Sequence, residues 1–328
     1  MNRIVFFLFF CSIHYCGFNQ NYKEYHQIFH RIDEDVLAQN AQIATFRLDS
    51  VLEKFDFVYA KHCMKAIQIC LAQNDSIRAN LWLEKAFKQG IPIWLIQMNE
   101  GTRNSLILVN TQGTIQNFDH FHTTYLNKID QNLNKTIDSL LVIDQKFTQR
   151  MNLGSFFLLP IYWVQWGIQN KKQGAILKSI IEKQGYPEEK MLGLPHLQDS
   201  IQFNTYLSFW GPSELRDARV QIMLQHCFST WHPKDVNFAE TLIENLSLGN
   251  IPPTQLGILL DFMFPNREKY ADFNFGFREI PKSIPTMEKV NANRFGIGLN
   301  SLEQEHRNTL IERERRKSRT INKEIMLE

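Results

Sequence analysis

The stretch that most constrains this chain is Arg219–Phe228, RVQIMLQHCF, a short helix that is apolar nearly all round. Gly211 and Pro212 stop the segment before it, and Pro212 suits a first helical turn, where a backbone N–H has no partner anyway. At 100° per residue, Val220, Met223, Leu224, Cys227 and Phe228 form one stripe, while Leu215, Ala218 and Ile222 fall on the opposite side. A helix with no polar face sits between neighbours rather than on a surface. Gln225 and His226 interrupt it. His226 lies beside Arg219 and Ile222, and its simplest role is a core histidine satisfied by one hydrogen bond. The sharper alternative is a general base or a ligand contact.

The 328 residues leave room for two modest domains or one elongated helical one. A formal net charge of +2 with 21% charged residues gives no global attraction to nucleic acid or to membranes. The N-terminus is more specific. Arg3 and the apolar run Ile4–Phe10 have the pattern of an export signal over residues 1–20, too short to anchor stably across a bilayer. The expected location is therefore periplasmic or extracellular. Cys11 and Cys16 would leave with such a signal. Cys63 and Cys70 stand seven residues apart on one helix, about 10 Å along its axis, too far for a disulfide. With Cys227 they read as three buried thiols. No cysteine or histidine cluster has metal-ligand spacing, and no cofactor is expected.

Along the chain the helical period dominates. Tyr25, Ile28, Phe29 and Ile32 repeat it, and Phe46, Val51, Leu52 and Phe55 take it up again, so residues 21–56 read as one or two helices. Segments 57–74 and 76–89 form a helical hairpin, turned at Asn74-Asp75 and ended by Gly90 and Pro92. Ala79, Leu83 and Ala86 in its second helix are similar to a tetratricopeptide repeat, although no further copy follows. Leu106–Val109 is compatible with a strand or a helix, and His120 and His122 lack a third ligand nearby. Residues 134–151 form a helix whose apolar stripe of Ile137, Leu140, Leu141, Phe147 and Met151 contains Asp144. A carboxylate facing a core must be paired or protonated; an ion pair with Arg or Lys is the expected solution.

The run FFLLPIYWVQWGI, 156–168, is broken by Pro160 and reads as a buried segment leading into a helix at 173–184, closed by Gly185. Glu188 and Glu189 open the next helix from its first turn. Helices follow at 236–247 and 255–264, the second carrying Asp261. Residues 264–285 read as an irregular arm in which Phe273, Phe275 and Phe277 suggest a short edge strand. Ser301 and Gln304 make a capping box. The tail mixes Arg313, Arg315, Arg316, Lys317 and Arg319 with Glu312 and Glu314, a solvated helix rather than a nucleic-acid arm.

The order of several pieces resembles an uncharacterised family of exported bacterial helical proteins that share a domain of unknown function. They are LEKAFKQGIP, IDQKF at Ile143–Phe147, ILKSIIEKQGYP, RVQIMLQH, LIENLSLGNIPPTQLGILLDF and NRFGIGLNSLEQE, spread over residues 61–310. The resemblance implies mostly helical structure and export, with no established activity, substrate or cofactor. It also implies an Arg where Thr148 stands, an Asp and an Asn near Asn170 and Gln173, and an Asp-Arg pair where this chain has Asp261-Phe262.

The fold expected is all-α. A helical region at 21–132 with a tetratricopeptide-like hairpin precedes a helical domain at 133–264, and an irregular arm with a charged helix occupies 265–328. The first functional reading is a non-enzymatic binding or scaffolding module with protein partners, no nucleic acid and no stable membrane span, since no GxSxG, HExxH or phosphate loop occurs. The second is a hydrolase-like enzyme or small-ligand receptor built from Asp144, Gln145, His226 and Asp261, which requires these side chains to converge around a cavity.

Overall fold

The computed structural model describes residues 20–98, 102, 112–153, 158–194, 217–231, 235–265, 269–279 and 283–311. The apolar run Ile4–Phe10, Leu106–Val109 and the Arg-rich tail lie outside them. The described chain is all-α, with no strand among these residues. In order the helices are α1 (Tyr22–Leu37), α2 (Ala41–Lys54), α3 (Ala60–Ala72), α4 (Ser76–Phe87), α5 (Ile93–Met98), α6 (Gln112–Gln116), α7 (Phe118–Leu126), α8 (Gln131–Leu153) and α9 (Leu159–Gln184). They continue as α10 (Glu189–Leu192), α11 (Arg219–Trp231), α12 (Val236–Ser247), α13 (Pro253–Met263) and α14 (Ile284–Gly296). Residues 302–311 form α15.

Local chemistry sets the boundaries. The Asn21 side chain accepts the Lys23 N–H to start α1, and Asp75 accepts the Arg78 N–H to start α4. Asn74, at φ 57°, makes the left-handed turn between α3 and α4, which pack as a hairpin. Gly90 ends that hairpin at φ +86°, and a Cβ there would meet the Tyr125 ring at 2.3 Å, so both the backbone and the space require glycine. Gly185 closes α9 at φ +97° against Asn250.

Two apolar cores result. The first gathers Tyr25, Phe29, Leu48, Val51, Ile67, Trp82, Leu83 and Phe87 from α1–α4. Phe46 is not among them: at 74% exposed it lies on the outer face of α2, half a turn round from the stripe that Leu48 and Val51 define. The second core packs α8, α9, α12 and α13 around α11, whose Val220, Met223, Leu224, Cys227 and Phe228 are all buried. The central helix is thus enclosed, and its first residue fastens it. Buried Arg219 grips Asp217 through Nε at 2.9 and 3.0 Å, and reaches Asn134 at 2.6 Å and Asp138 at 2.5 Å on α8 through Nη1. A fully paired guanidinium of this kind is strongly held.

The cores meet at the one-turn helix α10. Its acidic residues are not a solvated first turn. Glu189 is buried and accepts the Ala60 N–H at 2.6 Å, capping the start of α3. Glu188, also buried, accepts the Glu189 N–H at 2.7 Å and lies beside Gln255, which holds the Asp217 carbonyl at 2.9 Å. From the other side, the Tyr59 hydroxyl donates to the Gly249 carbonyl at 3.1 Å. Burial raises the pKa of both glutamates, Glu189 to about 8, with Asp217 adding to the effect.

The arm is held by polar anchors rather than by strand pairing. Asp261 accepts the N–H groups of Phe275, Phe277 and Arg278 at 2.7, 2.6 and 3.3 Å. Those are the donors an edge strand would have offered to a neighbour, so the 273–277 alternation becomes a 3-10 turn, Ala271–Phe273, and a loop. Buried Arg294 donates to the carbonyls of Asn300 and Phe275 at 2.7 and 2.9 Å and pairs with Glu305. At the start of α15, Ser301 accepts the Gln304 N–H at 3.2 Å, while the Gln304 side chain reaches across to Glu34 instead of closing a box.

These burials set opposite pH dependences. His26, His30 and His62 have pKa values lowered from 6.5, chiefly by burial. Below about pH 6.5 the unfolded chain binds protons that the folded one refuses, so stability falls as pH falls, by up to about 1.4 kcal/mol per pH unit per histidine. Glu188 and Glu189 are raised from 4.5, so the folded chain keeps protons that the unfolded one has released, and stability falls as pH rises through about 8. Three histidines outweigh two glutamates on the acid side, so unfolding midpoints should peak near pH 6.5. Glu189→Gln, which keeps an acceptor for Ala60, should flatten the decline from pH 6.5 to 8; an unchanged decline in denaturant titrations would show that Glu189 is not its source.

Candidate functional site

The stripe of α8 brings Ile137, Leu140 and Asp144 onto one buried face, and Asp144 comes to rest against α11. Its side chain is wholly buried, with both oxygens 2.9 Å from His226 Nδ1. Gln145 Nε2 donates to Asp144 Oδ2 at 3.0 Å. The partner expected for this carboxylate was Arg or Lys; it is His226. The contact with a carboxylate places the proton on Nδ1 and leaves Nε2 as the basic nitrogen. The His226 side chain is 26% exposed, so it is a boundary residue rather than a core one. The Trp166 ring of α9 stands edge-on to it, centroids 5.7 Å apart.

Three positions where the family resemblance implies other polar residues surround this joint. The Thr148 hydroxyl donates to the Asp144 carbonyl at 3.1 Å. Asn170 Nδ2 donates to the His226 carbonyl at 3.2 Å, and Gln173 Nε2 donates to the Leu140 carbonyl at 2.7 Å. Cys227 closes the set with a hydrogen bond to the Asn170 carbonyl at 3.2 Å. Burial pushes its thiol up to about 12, and Cys63 and Cys70 are likewise buried and raised, so none of the three is a thiolate at neutral pH. The three helices α8, α9 and α11 are thereby tied by polar contacts that mostly run to backbone carbonyls.

The fourth candidate does not join them. Asp261 is engaged by the arm, as described above. Nor do the other three line either of two cavities. The larger, about 470 Å³, lies between α1, α3 and the C-terminal arm, with His30, Asp33, Lys65, Gln68 and Asn300 on its walls. The smaller, about 210 Å³, lies between α9, α11 and α12, lined by Asn170, Gly174, Cys227, Phe228 and Phe238. His120 is exposed on α7, His122 stacks on Phe118, and no metal-binding group of three or more acidic, histidine or cysteine residues occurs among the described residues. Among the polar residues that sequence reasoning passed over, Asn134 and Asp138 meet Arg219 85 and 81 residues away, and Glu189 meets Ala60 of the other core, relations no local pattern carries.

The largest correction concerns residues 158–168. They are not a buried lead-in to a helix; they are its first turns. Pro160 sits at the start of α9, where its missing N–H costs nothing, and the helix runs unbroken to Gln184. On α9 the buried residues are Asn170, Gln173, Leu177 and Ile181. At 100° per residue, Ile161, Val164 and Ile168 lie on the opposite side, 52%, 64% and 53% exposed. Trp163 is 54% exposed as well. The helix is apolar on two faces, and only one meets the core.

Compared with protein-family models, curated proteins and solved structures, the chain has no match.

The joint makes an asymmetric prediction. His226→Ala leaves the Asp144 carboxylate buried with only Gln145, and should cost about 3 kcal/mol. Asp144→Ala removes the buried charge, and the partly exposed imidazole regains water, so its cost should be smaller, about 1–2 kcal/mol. Chemical denaturation of both variants tests this; a smaller loss for His226→Ala would contradict the assignment.

Proposed function

We propose that this chain is a non-enzymatic helical binding or scaffolding module whose contact surface is the outer face of α9. The observation that carries this reading is the stripe Ile161, Val164 and Ile168, more than half exposed and directly opposite the face that packs on α8 and α11. Exposed apolar residues scattered singly need no explanation, but a row of them on one helix face marks an interaction site. The polar interior supports the same reading. Asp144 bonds to both Gln145 and His226, Asp261 is occupied by three backbone N–H groups, and neither cavity is shared by the four.

Export remains part of the proposal. It rests on the basic start at Arg3, the apolar run Ile4–Phe10, and the ordered likeness to exported bacterial helical proteins with a domain of unknown function. The α3–α4 hairpin, with buried Ala79, Leu83 and Ala86, supports the tetratricopeptide-like reading of that segment. A hydrolase-like or receptor role is the second reading, favoured by one observation: a buried carboxylate fixing the tautomer of a partly exposed histidine is how a general base is oriented.

Stability separates a contact face from a hidden core face. Ile161→Ser, Val164→Ser and Ile168→Ser combined should shift the unfolding midpoint by no more than an ordinary surface change, within about 0.5 kcal/mol each. The same replacement at Leu177, wholly buried on the inner face, should cost several-fold more. If the triple variant is destabilised like Leu177→Ser, the stripe is covered by the chain itself and the binding-module reading fails.

A further inference from the structure

Along residues 142–176 of the α8–α9 hairpin the exposed charges have one sign, Asp138 and Glu182 lying beyond that stretch. Between Val142 and Ile176 the sequence holds four cations, Lys146, Arg150, Lys171 and Lys172, and one carboxylate, Asp144, a local net charge of +3 (four minus one). That carboxylate is buried on His226. The outer surface of this stretch therefore presents no acidic side chain, although the whole protein is close to neutral at +2. Lys146, Arg150, Lys171 and Lys172 are all exposed. At 100° per residue Lys171 and Lys172 fall on the same side of α9 as Ile161, Val164 and Ile168, one turn further on.

We propose that the outer face of α9, its apolar stripe followed by Lys171 and Lys172, docks on an anionic lipid surface. This rests on the contact-face reading above and names its partner. An apolar stripe next to cations is the pattern of a helix that lies in the plane of a bilayer interface, its aliphatic side chains among the acyl chains and its lysines on the lipid phosphates. Trp163, 54% exposed and edge-on to Trp166 at 5.3 Å, falls on the inner side of α9 with Asn170 and Leu177 and is not part of this face. No helix of the described residues is long and apolar enough to cross a membrane. The contact is therefore peripheral, with the rest of α9 remaining on the core through Gln173, Leu177 and Ile181. A second copy of the chain fits less well, because two such faces would bring together cations with no carboxylate between them.

The test is flotation of the full chain with vesicles of phosphatidylcholine alone, and of phosphatidylcholine with phosphatidylglycerol, together with its sedimentation in lipid-free buffer. The wild type should float with the anionic vesicles only, and less as salt is raised. Lys171→Glu with Lys172→Glu should weaken that partition roughly thirtyfold, and the Ile161, Val164 and Ile168 serine variant should abolish it without loss of fold. No flotation on anionic vesicles, or flotation that both variants leave unchanged, would overturn the lipid assignment. So would a wild-type dimer in buffer that the serine variant dissolves, which would give the face to a second copy. The stability comparison of the preceding section decides separately whether the face is a contact face at all.

Discussion

A carboxylate taken out of water must find charge, hydrogen bonds or a proton, and this fold is arranged around five that do so in different ways. Asp217 takes the guanidinium of Arg219, and Asp144 takes His226 and Gln145. Asp261 takes three backbone N–H groups, and Glu188 and Glu189 are pushed toward the protonated form while Glu189 caps α3. Leaving any one of them bare would cost more than a typical mutation does. Three of these solutions join separate elements: Asp144 ties α8 to α11, Asp261 ties α13 to the arm, and Glu189 ties α10 to α3. The apolar cores supply most of the driving force, but these contacts fix which helix meets which.

Much of the helical content was legible in the residues, because it depends on local patterns. The helix at 236–247, the hairpin turn at Asn74, the glycine stops at Gly90 and Gly185 and the enclosed helix beginning at Arg219 all follow from periodicity and capping. Asp144 was legible as an anomaly, a carboxylate in an apolar stripe. Its partner, 82 residues away, was not, and neither was the fact that Asp261 serves the arm instead. Where the patterns misled, a long-range contact had overridden them. The alternating phenylalanines at 273–277 had their strand donors taken by Asp261. Phe46 fell on the outer face of α2, half a turn round from Leu48 and Val51.

The apolar stretch at 156–168 misled for another reason. Hydropathy reports how apolar a segment is and not which side of it is covered. A proline that reads as a break in mid-segment is harmless at a helix start, so α9 absorbs it and extends its first turns past the helices that pack on it. What reads as core becomes surface. The same geometry separates two roles within α9: its inner side, through Asn170, Gln173 and Leu177, belongs to the joint with Asp144 and His226, and its outer side belongs to no core.

Whether that outer side is open in the folded chain can be measured directly, because the protein carries its own protected reference. Cys63, Cys70 and Cys227 are buried thiols with raised pKa values and should react with a maleimide only as the chain opens. In a Val164→Cys chain the new thiol should label at close to the rate of an unstructured peptide while Cys63, Cys70 and Cys227 stay slow. Labelling of Val164→Cys as slow as that of Cys227 would contradict the account, since it would place the stripe inside the fold.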